Sequence, residues 1–251
     1  MNKEMVFAVK DYLEKRGIIQ ITGETTPMDL RKNGKIFTKE EHLKGLIYSL
    51  MSAQTVWANI ERNKKNIDKI FFDYDFEKIL EKDYTYFVER LGEIRCRSRL
   101  TNAQMKVLHE NIRTLSQIEA DFESIDAFVT GRSTEKVVEM LTSVGSKYKI
   151  KQMGEALARE YLRNVGVDSA KPDVHMKRIL GSERLGVSCK PEATNEEVIE
   201  EMQKLSKETG LWMSQIDYIF WAYCANDMGE ICTATPKCQN CVLRNQCNYC
   251  R

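Results

Sequence analysis

Apolar residues recur along most of this chain at the spacing of an α-helix. Between residues 43 and 51 they fall at positions i, i+3, i+4, i+7 and i+8, which places them on one side of a helix. Helical stripes follow at residues 67–71, 105–115, 137–141, 153–165 and 198–205, whereas an alternating β pattern is confined to the short stretch 18–22. The pattern therefore predicts an all-α protein.

Polar residues mark where some of these helices begin and where two lobes could meet. Ser133 or Thr134 can cap the helix of residues 137–141, and Thr194 or Asn195 can cap the helix of residues 198–205. The polar stretches 23–39 and 181–195 are candidate boundaries. We expect a helical lobe over residues 40–166, and a second lobe formed by residues 1–39 together with residues 167–251.

Composition places the chain among soluble intracellular proteins. Of its 251 residues, 42% are hydrophobic, which is enough for one or two cores and excludes a wholly disordered chain. Lys and Arg number 38 against 37 Asp and Glu, so a surface for nucleic acid must be a local patch. No apolar run approaches about 18 residues, and the first residues lack the layout of a secretory signal. We expect a protein of the bacterial or archaeal cytoplasm or nucleoid.

Cysteines are concentrated at the end of the chain. Five of the eight lie among the last twenty residues, namely Cys232, Cys238, Cys241, Cys247 and Cys250. In a reducing cytoplasm such a cluster favours a metal site over disulfides. The first four are separated by gaps of five, two and five residues, and this single C-x2-C pair favours an iron–sulfur cluster over structural zinc, which usually takes two such pairs. Zinc is the alternative.

The other cysteines fit different roles. Cys250 is either a spare thiol or a replacement ligand. Cys96, Cys189 and Cys224 are isolated, and we expect them to be small buried side chains. Lys237, Arg244 and Arg251 lie in or beside the cysteine segment, with no acidic residue after Glu230, so this segment is expected to be positively charged.

The cysteine segment resembles the C-terminal 4Fe-4S loop of the endonuclease III family of helix-hairpin-helix DNA glycosylases. The family's gaps are typically six, two and five residues, so this chain is one residue shorter in the first gap. Both loops follow a helix, which here carries the aromatic-rich run 218–223. The resemblance implies a 4Fe-4S cluster held by Cys232, Cys238, Cys241 and Cys247.

A second match is the segment KPDVHMKRIL at residues 171–180, which is similar to the segment that carries the family's catalytic aspartate. The resemblance assigns that role to Asp173. The residues themselves predict that Asp173, after the chain-breaking Pro172, caps a short helix from Val174, whose dipole favours an ionised carboxylate. Such an anion can stabilise positive charge on a sugar or deprotonate an attacking nucleophile. A plain helix cap is the alternative.

The family's hairpin, which grips a DNA phosphate, can be aligned in two ways. Aligning residues 141–147 with it puts Lys147 where bifunctional members carry a Schiff-base amine, but leaves 26 residues to Asp173, about eight more than usual. Aligning residues 150–158 gives Gly154 the helix-opening role and puts Ala156 at the lysine position. The second alignment is favoured because a helical stripe begins there. It implies a monofunctional enzyme, with a lyase that uses Lys147 as the alternative.

DNA contacts are expected at two further places. Residues 147–178 hold eight Lys and Arg against four Asp and Glu, so phosphate contacts are expected there, for which Lys151 is a candidate. The segment LIYSLMSAQTVWANI, residues 46–60, resembles the family helix that ends in Ser-Ala-Gln. That resemblance makes Gln54 the residue that enters the duplex and pairs with the orphaned base. The alternative is that Gln54 is only a polar residue after an apolar stripe.

Trp57 and an arginine-rich turn lie near these candidates. Trp57 lines a base pocket or packs in the core, and the core is favoured for a Trp at helical spacing. The turn with Arg95, Arg97 and Arg99 is a solvated face or a second phosphate contact, with nothing in the sequence to favour either.

Together the resemblances imply a two-lobed all-α helix-hairpin-helix glycosylase fold with a C-terminal iron–sulfur loop and with DNA bound between the lobes. The implied function is base-excision repair by a monomer that removes a damaged or mispaired base from double-stranded DNA. A non-enzymatic alternative is a metal-cluster module that binds DNA or senses redox state. Which base is removed is not predicted.

Overall fold

The computed structural model describes residues 1–21 and 25–250, without the side chain of Cys250. The described residues form helices and connecting turns and contain no strand, so the all-α prediction is confirmed. The helices are α1 (Lys3–Lys15), α2 (Pro27–Lys32), α3 (Lys39–Met51), α4 (Trp57–Ile70), α5 (Phe76–Leu80), α6 (Tyr84–Glu93), α7 (Thr101–Lys106), α8 (Leu108–Asp121), α9 (Ile125–Thr130), α10 (Thr134–Thr142), α11 (Glu155–Asn164), α12 (Val174–Leu180), α13 (Asn195–Thr209) and α14 (Met213–Cys224). Short 3-10 turns lie at Phe72–Tyr74, Cys238–Asn240, Arg244–Gln246 and Asn248–Cys250.

The chain divides into two compact units. Residues 27–167 form the central unit, and residues 1–26 with 168–251 form the terminal unit. The sequence placed the first boundary at residue 40, but α2 belongs to the central unit. The physical reason is Arg31, whose Nε donates to the carbonyl oxygen of Val165 at 3.1 Å and whose guanidinium pairs with Asp126.

The core of the central unit is built around α3, which packs against α11 and α9. The predicted stripe is confirmed: Leu43, Leu46, Ile47, Leu50 and Met51 are all buried. Gly45 allows α3 and α11 to approach closely, because a Cβ at this position would lie 3.0 Å from the side chain of Val165.

A buried polar network holds four helices of this unit together. Arg31 forms a two-pronged ion pair with Asp126, with distances of 3.0 and 2.7 Å. The Nε2 of His42 donates to the same carboxylate, and its Nδ1 accepts from the Tyr161 hydroxyl at 2.7 Å. Burial alone would raise the pKa of Asp126, but hydrogen bonds from His42 and Arg31 outweigh it and hold that pKa well below its usual range. The network joins α2, α3, α9 and α11.

The terminal unit has its own core, centred on α14. This helix packs against α1, α12 and α13, and its residues Ile216, Ile219, Phe220 and Tyr223 are fully buried. Segments from both ends of the chain therefore share one core, as the sequence led us to expect.

Several local predictions can be compared with the helices. Ser133 caps α10, and Thr194 caps α13 in a capping box with Glu197. The stripe over residues 105–115 is divided between α7 and α8, which meet at Val107. Residues 18–21 form no strand, and Thr22 lies outside the described residues.

None of the helices that the structure describes has the length and apolar character needed to span a membrane.

Candidate functional site

Asp173 is the N-cap of α12, as predicted. Its Oδ1 accepts hydrogen bonds from the backbone N–H groups of His175 and Met176, at 2.8 and 3.1 Å. Both described bonds go to the same oxygen, and Oδ2 accepts none from the described residues. The carboxylate is half-buried. One oxygen therefore fixes the group at the start of α12, while the other is left for a different partner.

The helix that begins at Asp173 contacts the start of the cysteine segment. The Nη2 of Arg178 donates to the carbonyl oxygen of Cys232 at 3.2 Å and lies 3.1 Å from the Nδ1 of His175. Burial, together with the charge of Arg178, lowers the pKa of His175. A neutral imidazole is what this contact requires, because only an unprotonated Nδ1 can accept from a guanidinium.

Cys232, Cys238, Cys241 and Cys247 line one small cavity. Cys232, Cys241 and Cys247 carry free thiols, whereas Cys238 is in a disulfide. Among the residues that the structure describes, no three or more His, Cys, Asp or Glu side chains lie close enough together to hold a single metal ion. A lone zinc ion needs all four sulfurs about 2.3 Å from one point. A 4Fe-4S cluster places each thiolate on a different iron, so its four ligands need not converge on one point.

Other side chains complete the surroundings of these thiols. The Tyr223 hydroxyl donates to the Cys241 Sγ at 3.3 Å and accepts from the backbone N–H of Val242. Cys224 is fully buried and hydrogen-bonds to Cys232. That bond, with the charges of Arg184 and Arg178, lowers the pKa of Cys232 to about 7 although burial opposes the shift. Cys238, the first cysteine of the C-x2-C pair, must be reduced before it can act as a ligand.

The structure tests the predictions for the three isolated cysteines but not those for Cys250. Cys96 and Cys224 are buried, as expected, but the expectation was wrong for Cys189, which is exposed on the turn between α12 and α13. The side chain of Cys250 lies outside the described residues, so both of its predicted roles stay predictions.

The connection between α10 and α11 explains why two alignments of the hairpin competed. The backbone N–H of Ile150 donates to the carbonyl oxygen of Leu141 at 2.9 Å, so residues 142–149 leave and return to one point. We call these eight residues the excursion. Without these eight residues, Leu141 would lead directly into residues 150–154. The excess of about eight residues between the first alignment and Asp173 would then disappear. Gly154 is the N-cap of α11, as the second alignment expects.

The hairpin itself, residues 150–154, is held from α8. The buried side chain of Asn111 accepts from the backbone N–H of Lys151 at 2.7 Å and donates to the carbonyl oxygen of the same residue at 3.2 Å. Gln152 has a φ of +61°, a left-handed conformation that usually calls for glycine. The segment that the second alignment matches to the hairpin therefore contains one glycine, Gly154, and a left-handed glutamine.

Lys147 lies in the excursion, outside any helix. Its Nζ pairs with the Oδ2 of Asp121 at 2.8 Å, and this hydrogen bond raises the pKa of Lys147. A raised pKa keeps the amine protonated, which is the opposite of what a Schiff-base nucleophile needs.

The basic residues predicted to contact phosphate are largely paired within the protein. The pairs are Lys151 with Glu110, Arg159 with Glu155, and Arg163 with Glu160, and the Nζ of Lys149 donates to the carbonyl oxygen of Thr142. The positive excess counted along the sequence is therefore smaller on the surface, because Glu110 and Asp121 of α8 were not in the counted segment.

Gln54 is exposed and lies three residues beyond the end of α3, with a φ of +58°. The Nε of Arg99 donates to its Oε1, so the arginine turn and Gln54 share one surface of the central unit. The buried Gln104 of α7 brings them together by donating to the carbonyl oxygen of Leu50, near the end of α3, at 2.7 Å. Trp57 is half-buried and packs against the core, as favoured.

No family model and no curated protein matches this chain. Among solved structures, it resembles a trapped endonuclease III–DNA covalent intermediate, an estranged-adenine complex, with a TM-score of 0.58 over 99% of this chain and 97% of that one, at 16% identity. The chain has an endonuclease III-like fold. The 8-oxoguanine glycosylase/lyase of Methanocaldococcus jannaschii, solved with a 15mer DNA containing 8-oxoguanine, shares this fold at 21% identity with a TM-score of 0.56 over 88% of this chain and 96% of that one.

The endonuclease III-like fold confirms the helix-hairpin-helix glycosylase fold expected from the sequence. The roles of the individual residues stay predictions. These are Asp173 and Lys147 in catalysis, Gln54, Gly154 and Lys151 in DNA binding, and the four cysteines as ligands.

Proposed function

We propose that this protein is a DNA glycosylase of base-excision repair, which flips a damaged or mispaired base out of double-stranded DNA and hydrolyses its N-glycosidic bond. The observation that carries the proposal is the carboxylate of Asp173, anchored through Oδ1 alone at the N-terminus of α12 in an endonuclease III-like fold. The DNA complexes of the two similar structures give further support for DNA as the partner.

In the proposed reaction, positive charge builds on the sugar as the bond between C1′ and the base nitrogen breaks. The free Oδ2 of Asp173 faces that charge or takes a proton from the attacking water, whose oxygen bonds to C1′. The base leaves with the electron pair of the broken bond and is protonated. The two backbone N–H groups on Oδ1 keep the carboxylate in one orientation throughout, so little reorganisation is needed.

DNA binding is assigned to the hairpin and to Gln54. The backbone N–H groups at the start of α11, directly after Gly154, can bind a phosphate. Lys151 is the basic side chain of the hairpin. Gln54 carries both a donor and an acceptor on an exposed left-handed turn, which suits a side chain that replaces a flipped base. Its contact Arg99 becomes a further candidate for this DNA-facing surface.

The reaction is proposed to be monofunctional. Ala156, in the first turn of α11, has no amine, and the amine of Lys147 is paired with Asp121. A bifunctional lyase that uses Lys147 is the second candidate, because the similar protein of Methanocaldococcus jannaschii is a glycosylase/lyase. The protein is proposed to act as a monomer, which light scattering of the purified chain tests.

Cys232, Cys238, Cys241 and Cys247 are proposed to hold a 4Fe-4S cluster, with the disulfide of Cys238 reduced. When bound, the cluster would supply a rigid crosslink of the cysteine segment and a one-electron redox centre. The cysteine thiolates and the bond from Tyr223 to Cys241 would fix its position. Iron and acid-labile sulfide assays on anaerobically purified protein distinguish it from zinc.

A panel of lesion duplexes tests the proposal. Each reaction is divided between borohydride trapping and hot alkali. We expect strand breaks only after alkali and no trapped adduct, with Asp173→Asn reducing base release by about 10²- to 10⁴-fold. A trapped adduct that disappears in Lys147→Ala would establish the lyase instead. DNA binding without base release from any duplex would support the DNA-binding module.

Asp168→Asn is the matched control for Asp173→Asn. The Asp168 carboxylate lies in the same unit and accepts from the backbone N–H groups of Met213 and Ser214, at 2.9 and 3.1 Å, so it also caps a helix. The two variants change the same chemical group in the same structural role. Equal losses of base release would contradict a catalytic Asp173.

A further inference from the structure

Arg184 is a buried cation that lines the cysteine cavity. It is only 5% exposed, and it borders the cavity beside Cys232, Cys238, Cys241 and Cys247. A second small cavity, which also reaches Tyr223 and Leu243, is lined by Arg184 as well. The guanidinium therefore belongs to the immediate surroundings of the four thiols.

The described residues give this cation a cysteine thiol but no carboxylate. Its Nε is buried and has no hydrogen-bond partner. Its guanidinium hydrogen-bonds to Cys232, its Nη1 makes a long bond of 3.5 Å to the carbonyl oxygen of Glu183, and its guanidinium carbon lies 3.7 Å above the ring of Tyr249. A buried charge is costly unless an opposite charge and hydrogen bonds offset it, so the unpartnered Nε and the contact with Cys232 point to the thiols as the side from which the offsetting charge comes.

The backbone around Arg184 is fixed to the end of the cysteine segment. The backbone N–H of Asn248 donates to the carbonyl oxygen of Arg184, and its side-chain amide donates to the carbonyl oxygen of Ser182, both at 2.8 Å. Asn248 directly follows Cys247. Gly186 has a φ of +65°, and a Cβ there would lie 2.9 Å from the Asn248 amide, so this close approach needs glycine. Arg184 is thus held in register with the cysteines.

Arg178 does not meet the same description, although its Nε is also buried and unpartnered. Its terminal nitrogen is already engaged by Cys232 and His175, and it does not line either cavity. Arg184 is the arginine that both lines the space among the thiols and has a buried, unpartnered Nε.

We propose that Arg184 is the charge partner of the iron–sulfur cluster, donating its guanidinium N–H groups to the cluster sulfides or to the thiolates that hold it. This inference rests on the proposed cofactor. Four thiolates give such a group a net negative charge, and hydrogen bonds to its sulfurs are a known determinant of reduction potential. Because reduction adds one more negative charge, removing Arg184 makes the reduced state less favourable. It also removes one of the interactions that retain the iron.

The full-length chain, reconstituted anaerobically with iron and sulfide, tests this inference. Arg184→Gln and Arg184→Lys are compared with Arg244→Gln, which removes an exposed arginine from the same segment, between Cys241 and Cys247. The readouts are the one-electron potential of the cluster, by film voltammetry, and the rate of iron loss to a chelator. Far-UV circular dichroism checks that each variant is helical.

We expect Arg184→Gln to reduce the equilibrium constant for reduction at least tenfold, a potential about 59 mV lower. Iron loss should be several-fold faster, with Arg184→Lys intermediate and Arg244→Gln within twofold of the parent. If Arg184→Gln does not fold, the potential and the rate of iron loss of Arg184→Lys test the inference instead. This variant keeps the charge but loses the planar guanidinium. Parent-like potential and iron loss would overturn the inference. A parent chain that binds no iron would overturn it together with the proposed cofactor, while base release tests the glycosylase separately.

Discussion

Arg178 connects to Cys232 across 54 positions of the chain, its Nη2 donating to the cysteine's carbonyl oxygen at 3.2 Å. The helix that Asp173 caps and the first cysteine of the C-terminal segment are therefore neighbours within the terminal unit. A change at one end of this contact is transmitted to the backbone at the other.

Arg178→Gln should destabilise the terminal unit. A charged donor on a backbone carbonyl contributes about 1.5–3 kcal/mol, so urea unfolding should show a loss of this order. Lys177→Gln is the control, because it removes the neighbouring charge of α12, and the side chain of Lys177 has no hydrogen bond or ion pair among the described residues. Equal losses in the two variants would mean that net charge, rather than the contact to Cys232, is responsible.

The capping and catalytic roles of Asp173 can be separated by two substitutions. Asp173→Asn keeps an oxygen for the N–H groups of His175 and Met176, so its unfolding free energy should stay close to that of the parent. Asp173→Ala removes the cap and should lose about 1 kcal/mol. Both should lose base release. Retained base release in Asp173→Asn would leave Asp173 as a cap alone.

Stability should fall as the solution becomes mildly acidic. Burial lowers the pKa of His42 below its ordinary 6.5, so below that pH the unfolded chain binds more protons than the folded one. The stabilisation is complete above pH 6.5 and is lost as the pH falls towards the folded-state pKa, and His175 acts in the same direction. Urea midpoints at a series of pH values measure this. His42→Gln should flatten the dependence, and an unchanged slope would contradict the role of His42.

Arg99 should distinguish between phosphate binding and recognition of the orphaned base. A phosphate contact predicts that Arg99→Gln weakens binding about equally opposite all four bases and reduces the salt slope by about one. A base contact, made together with Gln54, predicts a loss that depends on the opposite base. We expect the second result, because Arg99 donates to Gln54. Arg97→Gln, on the same turn and folded over Gly92, is the control.

The sequence predicted features that depend on neighbours along the chain. The stripe of α3, the caps Ser133 and Thr194, and the cap Asp173 all follow from local spacing and local hydrogen bonds, and all are present in the structure. The division between α7 and α8 at Val107 was missed, because an apolar stripe continues through it.

Contacts between distant polar residues could not be predicted in this way. Asn111 holds Lys151 from 40 positions away, and Gln104 holds Leu50 from 54 positions away. Each is a single polar side chain on an otherwise ordinary helix, so no pattern marks it. The left-handed turn at Gln152 was hidden for another reason: the usual signal, a glycine, is missing from it.

The excursion separates α10 from the hairpin. The backbone bond from Ile150 to Leu141 closes it, and the buried Tyr148 anchors its end against Phe122 and Phe128. A loop closed at its base can change length in the residues before this anchor while α11 and residues 150–154 keep their places. Relatives of this chain should therefore differ in length between these helices more than in the helices themselves. A sequence comparison that expects α10 and the hairpin to be adjacent will overlook this hairpin, whereas a comparison of structures will not.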